Sequence, residues 1–326
     1  MEDNKMKWIR VIAIALLLAT LLVLVPSGAY LGEAENVKIA VNAAMGEEPQ
    51  ESGYKSKTVY EDPSISVKIT NGQWKTKGNR GHTKYWVARV TIAHASQLRT
   101  SVSCKYNRQE PQHGSVLAER VKAVLAINGD YFCGMRNLGV EIRQGKTYRY
   151  PKSDKFFAFD YNKKVYFDML FIDNSGDLHI VQEATKKKVD NFKDNIKGKI
   201  INAFTFGPGL IVDGKKQGNY KNTMNGPTNR TQRMCLAQVG SSKDGKLEYL
   251  CICCEGPDDG SDGMTLTEFT DLVASFDGIT NAYNMDGGTS SQMMFHYEKI
   301  NCPNNRNRRG LADILYFASA YKPDKK

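Results

Sequence analysis

Apolar residues recur along this chain in short, strand-length runs, and helical spacing is confined to two stretches. Ile65 to Ile69 and Tyr85 to Ala93 are rich in β-branched and aromatic residues. They predict strands joined through turn signals at Asn71-Gly72 and Lys77-Gly78. Further strand-like runs are Phe156 to Phe159, Val165 to Phe171 and His179 to Val181. Ile200 to Phe206 breaks at Gly207-Pro208-Gly209, and Leu210 to Val212 turns at Asp213-Gly214. Met234 to Val239 and Leu247 to Cys254 flank a turn at Asp244-Gly245. Helical spacing appears first after Ser115, which is placed to cap a helix bearing Val116, Leu117, Val121 and Val124. That helix gives way to a buried strand over Val124 to Ile127. The second helix is marked more sharply: Thr265 and Glu268 form a capping box. Leu266, Phe269, Leu272, Val273 and Phe276 follow at helical spacing, and Gly278 ends it. Strands outnumber helices and the helices are interspersed. The expectation is an α+β fold, a single domain with extensive mixed or antiparallel sheet.

The N-terminus breaks this pattern. Lys5, Lys7 and Arg10 precede Val11 to Val25, in which Thr20 is the polar member. A basic stretch before about 7–15 apolar residues is a secretory signal pattern, and Ser27-Gly28-Ala29 supplies small residues at cleavage spacing. An uncleaved anchor is the alternative, although the run is short against the roughly 20 residues needed to span a bilayer. Residues 1–29 are therefore expected to be a signal peptide or membrane anchor, 30–57 a polar linker, and 58–322 the folded domain. The domain would be secreted or held outside the cytoplasm, touching the membrane only through the N-terminal segment.

The formal net charge of +10 over 326 residues favours encounter with anionic polymers. The basic clusters Lys186-Lys187-Lys188 and Arg306-Asn307-Arg308-Arg309 come with no zinc-finger, RNA-binding or basic-zipper signature, which argues against nucleic acid. The seven cysteines include Cys251, Cys253 and Cys254 in one strand-like run, with no second ligand pair at metal spacing. They read as small buried hydrophobes, Cys251 and Cys253 facing one way and Cys254 the other.

Two apolar strands end in related signals: Asn128-Gly129-Asp130 and Asn284-Met285-Asp286-Gly287-Gly288-Thr289-Ser290-Ser291. If both ends reach one pocket, Asp130 and Asp286 form a carboxylate pair suited to glycosyl transfer to water, with Asn128 beside them. Gly287, Gly288, Thr289 and Ser290 are candidate anion binders, since successive N–H groups in a glycine turn can form an anion-binding concavity. Gly207 offers close backbone approach, Arg233 a planar phosphate-binding guanidinium, and Thr265 a helix start favouring an anion. No cofactor is called for, and a Ca²⁺ site in the acidic run Asp258 to Asp262 is a minor alternative, because the spacing does not fit an EF-hand. Serine-hydrolase and zinc-hydrolase patterns are missing from the sequence.

The order of these motifs resembles the phosphodiester glycosidase family. Asn128-Gly129-Asp130-Tyr131-Phe132 is similar to its Asn-Gly-Gly-Tyr/Phe-Phe segment, and Gly207 through Gly214 to its Gly-Pro turn. Gln232 through Ala237, Ser261 through Glu268, Asn284 through Ser291 and Arg309 through Asp313 are similar to its later motifs. Asp130, Met234, Thr289 and Asp313 depart from the family residues Gly, Thr, Gly and Asn. The resemblance covers about residues 58–322. It implies hydrolysis of a sugar-1-phosphodiester to free sugar and phosphomonoester, with an envelope or extracellular glycan as partner and Arg309 helping to position it. The rival reading is a non-catalytic carbohydrate-binding or exopolysaccharide-assembly protein using the same pocket.

Overall fold

Among the described residues three large sheets pack around shared cores, and the ends of their strands position the site. The structure, a computed structural model, describes residues 38–105, 110–130, 137–218, 220, 226–245, 247–302 and 309–323. Residues 1–29, expected to be a signal peptide or anchor, lie outside the described residues, as do Tyr131, Phe132, Cys133 and Arg306 to Arg308. The described residues belong to one compact unit.

In chain order the strands begin with β1 (Tyr54–Ser56), β2 (Val59–Asp62), β3 (Ile65–Lys75), β4 (His82–Ile92) and β5 (Leu98–Val102). Helix α1 (Gly114–Arg120) leads into β6 (Ala123–Asn128), then β7 (Glu141–Arg143), β8 (Lys146–Arg149), β9 (Ala158–Asp160) and β10 (Val165–Tyr166). Next come β11 (Met169–Asp173), β12 (Leu178–Val181), helix α2 (Lys186–Asn195), β13 (Ile200–Thr205), β14 (Gly209–Val212) and β15 (Lys215–Lys216). The chain continues through β16 (Arg233–Val239), β17 (Leu247–Cys254), helix α3 (Leu266–Ala274) and β18 (Ile279–Asn284). It closes with β19 (Met293–Phe295), β20 (Glu298–Lys299) and β21 (Asp313–Ala318).

Nine strands form one sheet in the order β1-β2-β3-β4-β17-β16-β18-β14-β15. Two five-stranded sheets, β12-β11-β13-β7-β8 and β20-β19-β6-β21-β5, face it. A small hairpin, β9-β10, stands apart. The pairings among described strands are antiparallel, for example Leu236 opposite Tyr283 and Cys251 opposite Ala88. The fold class is thus α+β, and the sheet left open as mixed or antiparallel is antiparallel.

The central strands are buried on both faces. Met234, Leu236, Cys251 and Cys253 point into the core shared with Leu125, Phe317, Leu170 and Phe204 of the facing sheets. Cys235, Ala237, Ile252 and Cys254 point the other way, under Leu266, Phe269, Leu272 and Val273 of α3. The cysteine alternation expected from the sequence is therefore present, and burial pushes the Cys235, Cys251, Cys253 and Cys254 thiols up, keeping them protonated and inert. Each fully buried Leu or Phe of α3 contributes on the order of 1.5–3 kcal/mol. Helix α1 covers the outer face of the β6 sheet through Leu117 and Ala118, and α2 covers the β11 sheet through Val189.

Several local expectations are corrected. Asn71-Gly72 does not turn: it pairs with Trp86 and Tyr85 inside the long β3–β4 hairpin, whose ladder runs on to Lys75 opposite His82. A continuous ladder of eleven residue pairs outweighs one turn signal. Ser115 lies inside α1, where His113 is the N-cap and offers no side-chain cap, and Val124 belongs to β6. The run Val165 to Phe171 is split between β10 and β11. Residues 38–57, expected within a linker, pack on the domain. Ile39 is buried, the buried Arg99 guanidinium donates to the carbonyls of Ala40, Val41 and Ala43, and Glu47 N–H donates to Ser319.

Candidate active site

Three chain segments distant in sequence meet where β6 and β18 end and β21 begins. Asn128 staples them: its amide donates to the carbonyls of Asp286 (2.8 Å) and Gly129 (3.1 Å), and its Oδ1 accepts from Gln292 N–H at 3.1 Å. Gly129 donates its N–H to Asp313 O (3.1 Å) and accepts from Asp286 N–H (3.3 Å). The Asp313 carboxylate lies so close to Gly129 that a Cβ there would sit 2.3 Å from its oxygens. Only glycine fits this close approach.

These ends floor a cavity of about 550 Å³ whose polar lining includes Asn128, Asp130, Asp286, Ser290, Arg309 and Asp313. Such a volume is within the ~300–1,000 Å³ typical of small-ligand sites. The two carboxylates predicted as a pair do line one cavity. Their environments differ. Asp130 Oδ1 accepts from Arg143 at 2.7 Å and Oδ2 from Thr205 N–H at 2.8 Å, so both oxygens are committed. Asp286 is 6% exposed, and burial pushes its carboxyl up to about 7, against the downward pull of a Ser290 hydrogen bond, Arg309 and Gly287 N–H. Burial also raises Asp313, with Arg143 opposing and Asp130 and Asp286 adding to the rise.

Arg143 ties the floor together. Its guanidinium reaches Asp313 Oδ2 (2.9 Å from Nε), Asp130 Oδ1 (2.7 Å) and Glu141 Oε2 (2.8 Å), and donates to Ala203 O. Its plane lies 4.0 Å from the Phe204 ring centroid. Glu141 is held in turn by Arg149 at 2.9 Å. A buried arginine fork of this kind fixes carboxylate geometry.

The remaining predicted residues divide. Arg309 lines the cavity as an exposed cation, and Ser290 lines it beside Asp286. Gly287, Gly288 and Thr289 form the turn that presents Ser290, Gly288 with a left-handed φ of 60°. Of their N–H groups, Gly288 donates to Gln232 O and Ser290 to Gly287 O, so these two are turned to the backbone and not to a ligand. Arg233 does not line the cavity. On its strand it shares a face with Cys235, toward α3, and its guanidinium donates to the carbonyls of Met264 (3.2 Å) and Asn229 (2.9 Å). Thr265 is also elsewhere, its hydroxyl closing the capping box with Glu268, which Arg230 holds at 2.8 Å. Gly207 is a scaffold residue whose carbonyl accepts from Asn284 Nδ2 at 2.8 Å. Asp262, from the acidic run, accepts from the Thr76 hydroxyl (2.6 Å) and Arg80 N–H (2.7 Å) and latches the β3–β4 loop. Among the described residues no group of three or more His, Cys, Asp or Glu side chains is arranged to hold a metal ion.

Sequence reasoning passed over Glu141, Arg143 and Arg149. The available signal was the alternation Glu141-Ile142-Arg143, two opposite charges on one face of a strand whose residues are all buried.

The layered antiparallel sheets and the acid-floored cavity define an α+β protein with one cavity at its strand ends lined by Asp130, Asp286 and Asp313. The chain belongs to the phosphodiester glycosidase family, whose sequence profile matches residues 121–318. Membership places it, at family level, among glycosidase-type hydrolases. Its fold is similar to the catalytic domain of zebrafish N-acetylglucosamine-1-phosphodiester alpha-N-acetylglucosaminidase, auto-inhibited by its pro-peptide. The TM-score is 0.57 at 15% identity, over 88% of this chain and 92% of that one. A hypothetical protein from Synechocystis is similar at a TM-score of 0.50 and 14% identity, over 80% of this chain and 64% of that one. At these identities the likeness is one of fold. No curated protein matches the sequence.

Proposed function

We propose that this protein hydrolyses a sugar-1-phosphodiester at its glycosidic bond, releasing free sugar and a phosphomonoester. The observation that carries the reading is Asp286, a buried carboxyl poised near neutrality in a cavity where Arg309 is the cation among the described lining residues. A phosphomonoester leaves without a strong general acid once its charge is held, which is the part given to Arg309. Asp286, ionised above about pH 7, activates water or stabilises the oxocarbenium-like centre. Asp130, fixed by Arg143 and Thr205, keeps the cavity floor negative and in place. The family points to a glycan phosphodiester as substrate. The N-terminal signal pattern supports a glycan outside the cytoplasm, in an envelope or extracellular polymer.

The test is release of free sugar and phosphomonoester from a panel of sugar-1-phosphodiesters, including N-acetylglucosamine 1-(methyl phosphate). Turnover by the wild type that is lost in Asp286→Asn supports the reading. Saturable binding without turnover replaces it with a carbohydrate-binding role.

A further inference from the structure

A second cavity, about 220 Å³, opens beside the β9–β10 hairpin. It is smaller than the usual ~300–1,000 Å³ ligand pocket and has room for one ring-sized group. Phe159, Tyr166, Phe206 and Tyr220 supply aromatic walls, and Gln182 and Gln217 add carboxamides. Phe159 is 43% exposed, and the neighbouring Phe156 and Tyr161 are exposed as well. Exposed rings gathered on one short segment mark an interaction surface, since soluble proteins rarely leave such patches uncovered.

The frame of this cavity is pinned. Asp168 accepts from Gly209 N–H at 2.9 Å and from Glu183 N–H at 2.8 Å, locking the β13–β14 connection to the turn after β12. Two non-glycine residues of the lining, Lys164 (φ 53°) and Glu183 (φ 45°), are held in the left-handed region. Such backbone concentrates at ligand sites, where surrounding contacts over-determine it. The cavity also shares a wall with the first site's support. Thr205 N–H donates to Asp130, while the next residue, Phe206, donates its N–H to Tyr283 Oη and lines the second cavity.

We propose that this cavity is a second carbohydrate site, taking one uncharged pyranose residue of the glycan whose phosphodiester the Asp286 cavity cleaves; the link to that glycan rests on the function proposed above. A pyranose presents an apolar C–H face that packs on aromatic rings, and hydroxyls that pair with carboxamides. The carboxylates Asp168 and Glu183 against the one lysine, Lys164, disfavour an anionic group such as phosphate. The site therefore selects the sugar part of a polymer.

The experiment is calorimetric titration of the Asp286→Asn protein with maltotetraose and with tetra-N-acetylchitotetraose. At least one tetrasaccharide binds, and adding Phe159→Ala or Gln182→Ala weakens it tenfold or more. Both side chains are exposed, so these variants keep the parent melting temperature. In the Asp286 protein the same substitutions leave kcat/KM for N-acetylglucosamine 1-(methyl phosphate) within twofold. Absence of binding by both tetrasaccharides, or equal affinity in both variants, overturns the proposal. The titration needs no turnover, so a protein that binds without hydrolysing refutes the enzymatic reading alone. One that hydrolyses the small diester and binds no tetrasaccharide refutes the second site alone.

Discussion

Asp130 and Asp286 end similar apolar strands with similar neighbours, yet the fold gives them opposite situations. Asp130 meets a guanidinium and a backbone N–H, one for each oxygen. Asp286 is held by one serine, the Gly287 N–H and a rim arginine, which burial outweighs, and its carboxyl rises to about 7. A carboxylate with both oxygens committed is a fixed charge. One lifted toward neutrality can exchange a proton at working pH, which is what acid–base chemistry needs. The residue type decides nothing here; the partners do.

The largest expected effect breaks this comparison in activity. Asp286→Asn lowers kcat/KM by about 10²–10⁴, the usual range for a general acid or base, read as sugar release at pH 8. Asp130→Asn is expected to lose activity less and stability more. An amide keeps one of the two acceptor contacts and sets its NH2 against Arg143 or the Thr205 N–H, which costs roughly 1–3 kcal/mol, although Asp313 and Glu141 still pair Arg143. Calorimetry should then show the melting temperature falling by about 5 °C. An Asp130→Asn protein of wild-type stability would mean that Arg143 is satisfied without it.

The third prediction concerns pH. Asp286 has its folded value raised, so between its unfolded value near 3.9 and about 7 the folded state holds the extra proton. Stability is therefore greater at the acid end of this window and declines as pH rises through it. The decline is on the order of 2 kcal/mol, allowing for water in the cavity. Asp286→Asn should make it shallower, leaving the part that Asp313, also raised to about 7 by burial, contributes in the same window, and should melt higher than wild type at pH 8. Melting curves from pH 5 to 8 on both proteins give the answer. The smallest shift in pH dependence belongs to Arg309, which lowers the Asp286 value. Arg309→Gln should move the acid limb of the activity profile upward by less than about one unit, because the arginine is exposed and screened.

How much of this was legible in the sequence depended on range. The α3 capping box, the two-faced cysteine strand and the Asp286 loop are local patterns, and each appears in the fold. Arg143 was not legible, because its role needs residues 130, 143 and 313 in contact, and no spacing rule joins three strands of two sheets. Arg233 misled for a related reason. A cation at the start of a strand looks free to meet a ligand, yet its strand face is turned to α3, where backbone carbonyls take it. The Thr265 helix start and the glycine turn misled in the same way. Their N–H groups looked available, but side-chain caps and neighbouring carbonyls satisfy them.

Asp286, lifted by burial and ionised above neutrality, is proposed to drive hydrolysis. The direct measurement is kcat/KM against pH, from 5 to 9, for N-acetylglucosamine 1-(methyl phosphate). The expected result is a rise through an inflection near 7 to a plateau, and a flat residual rate in Asp286→Asn. A wild-type profile that falls through 7, or an Asp286→Asn profile that keeps the wild-type inflection, would contradict it.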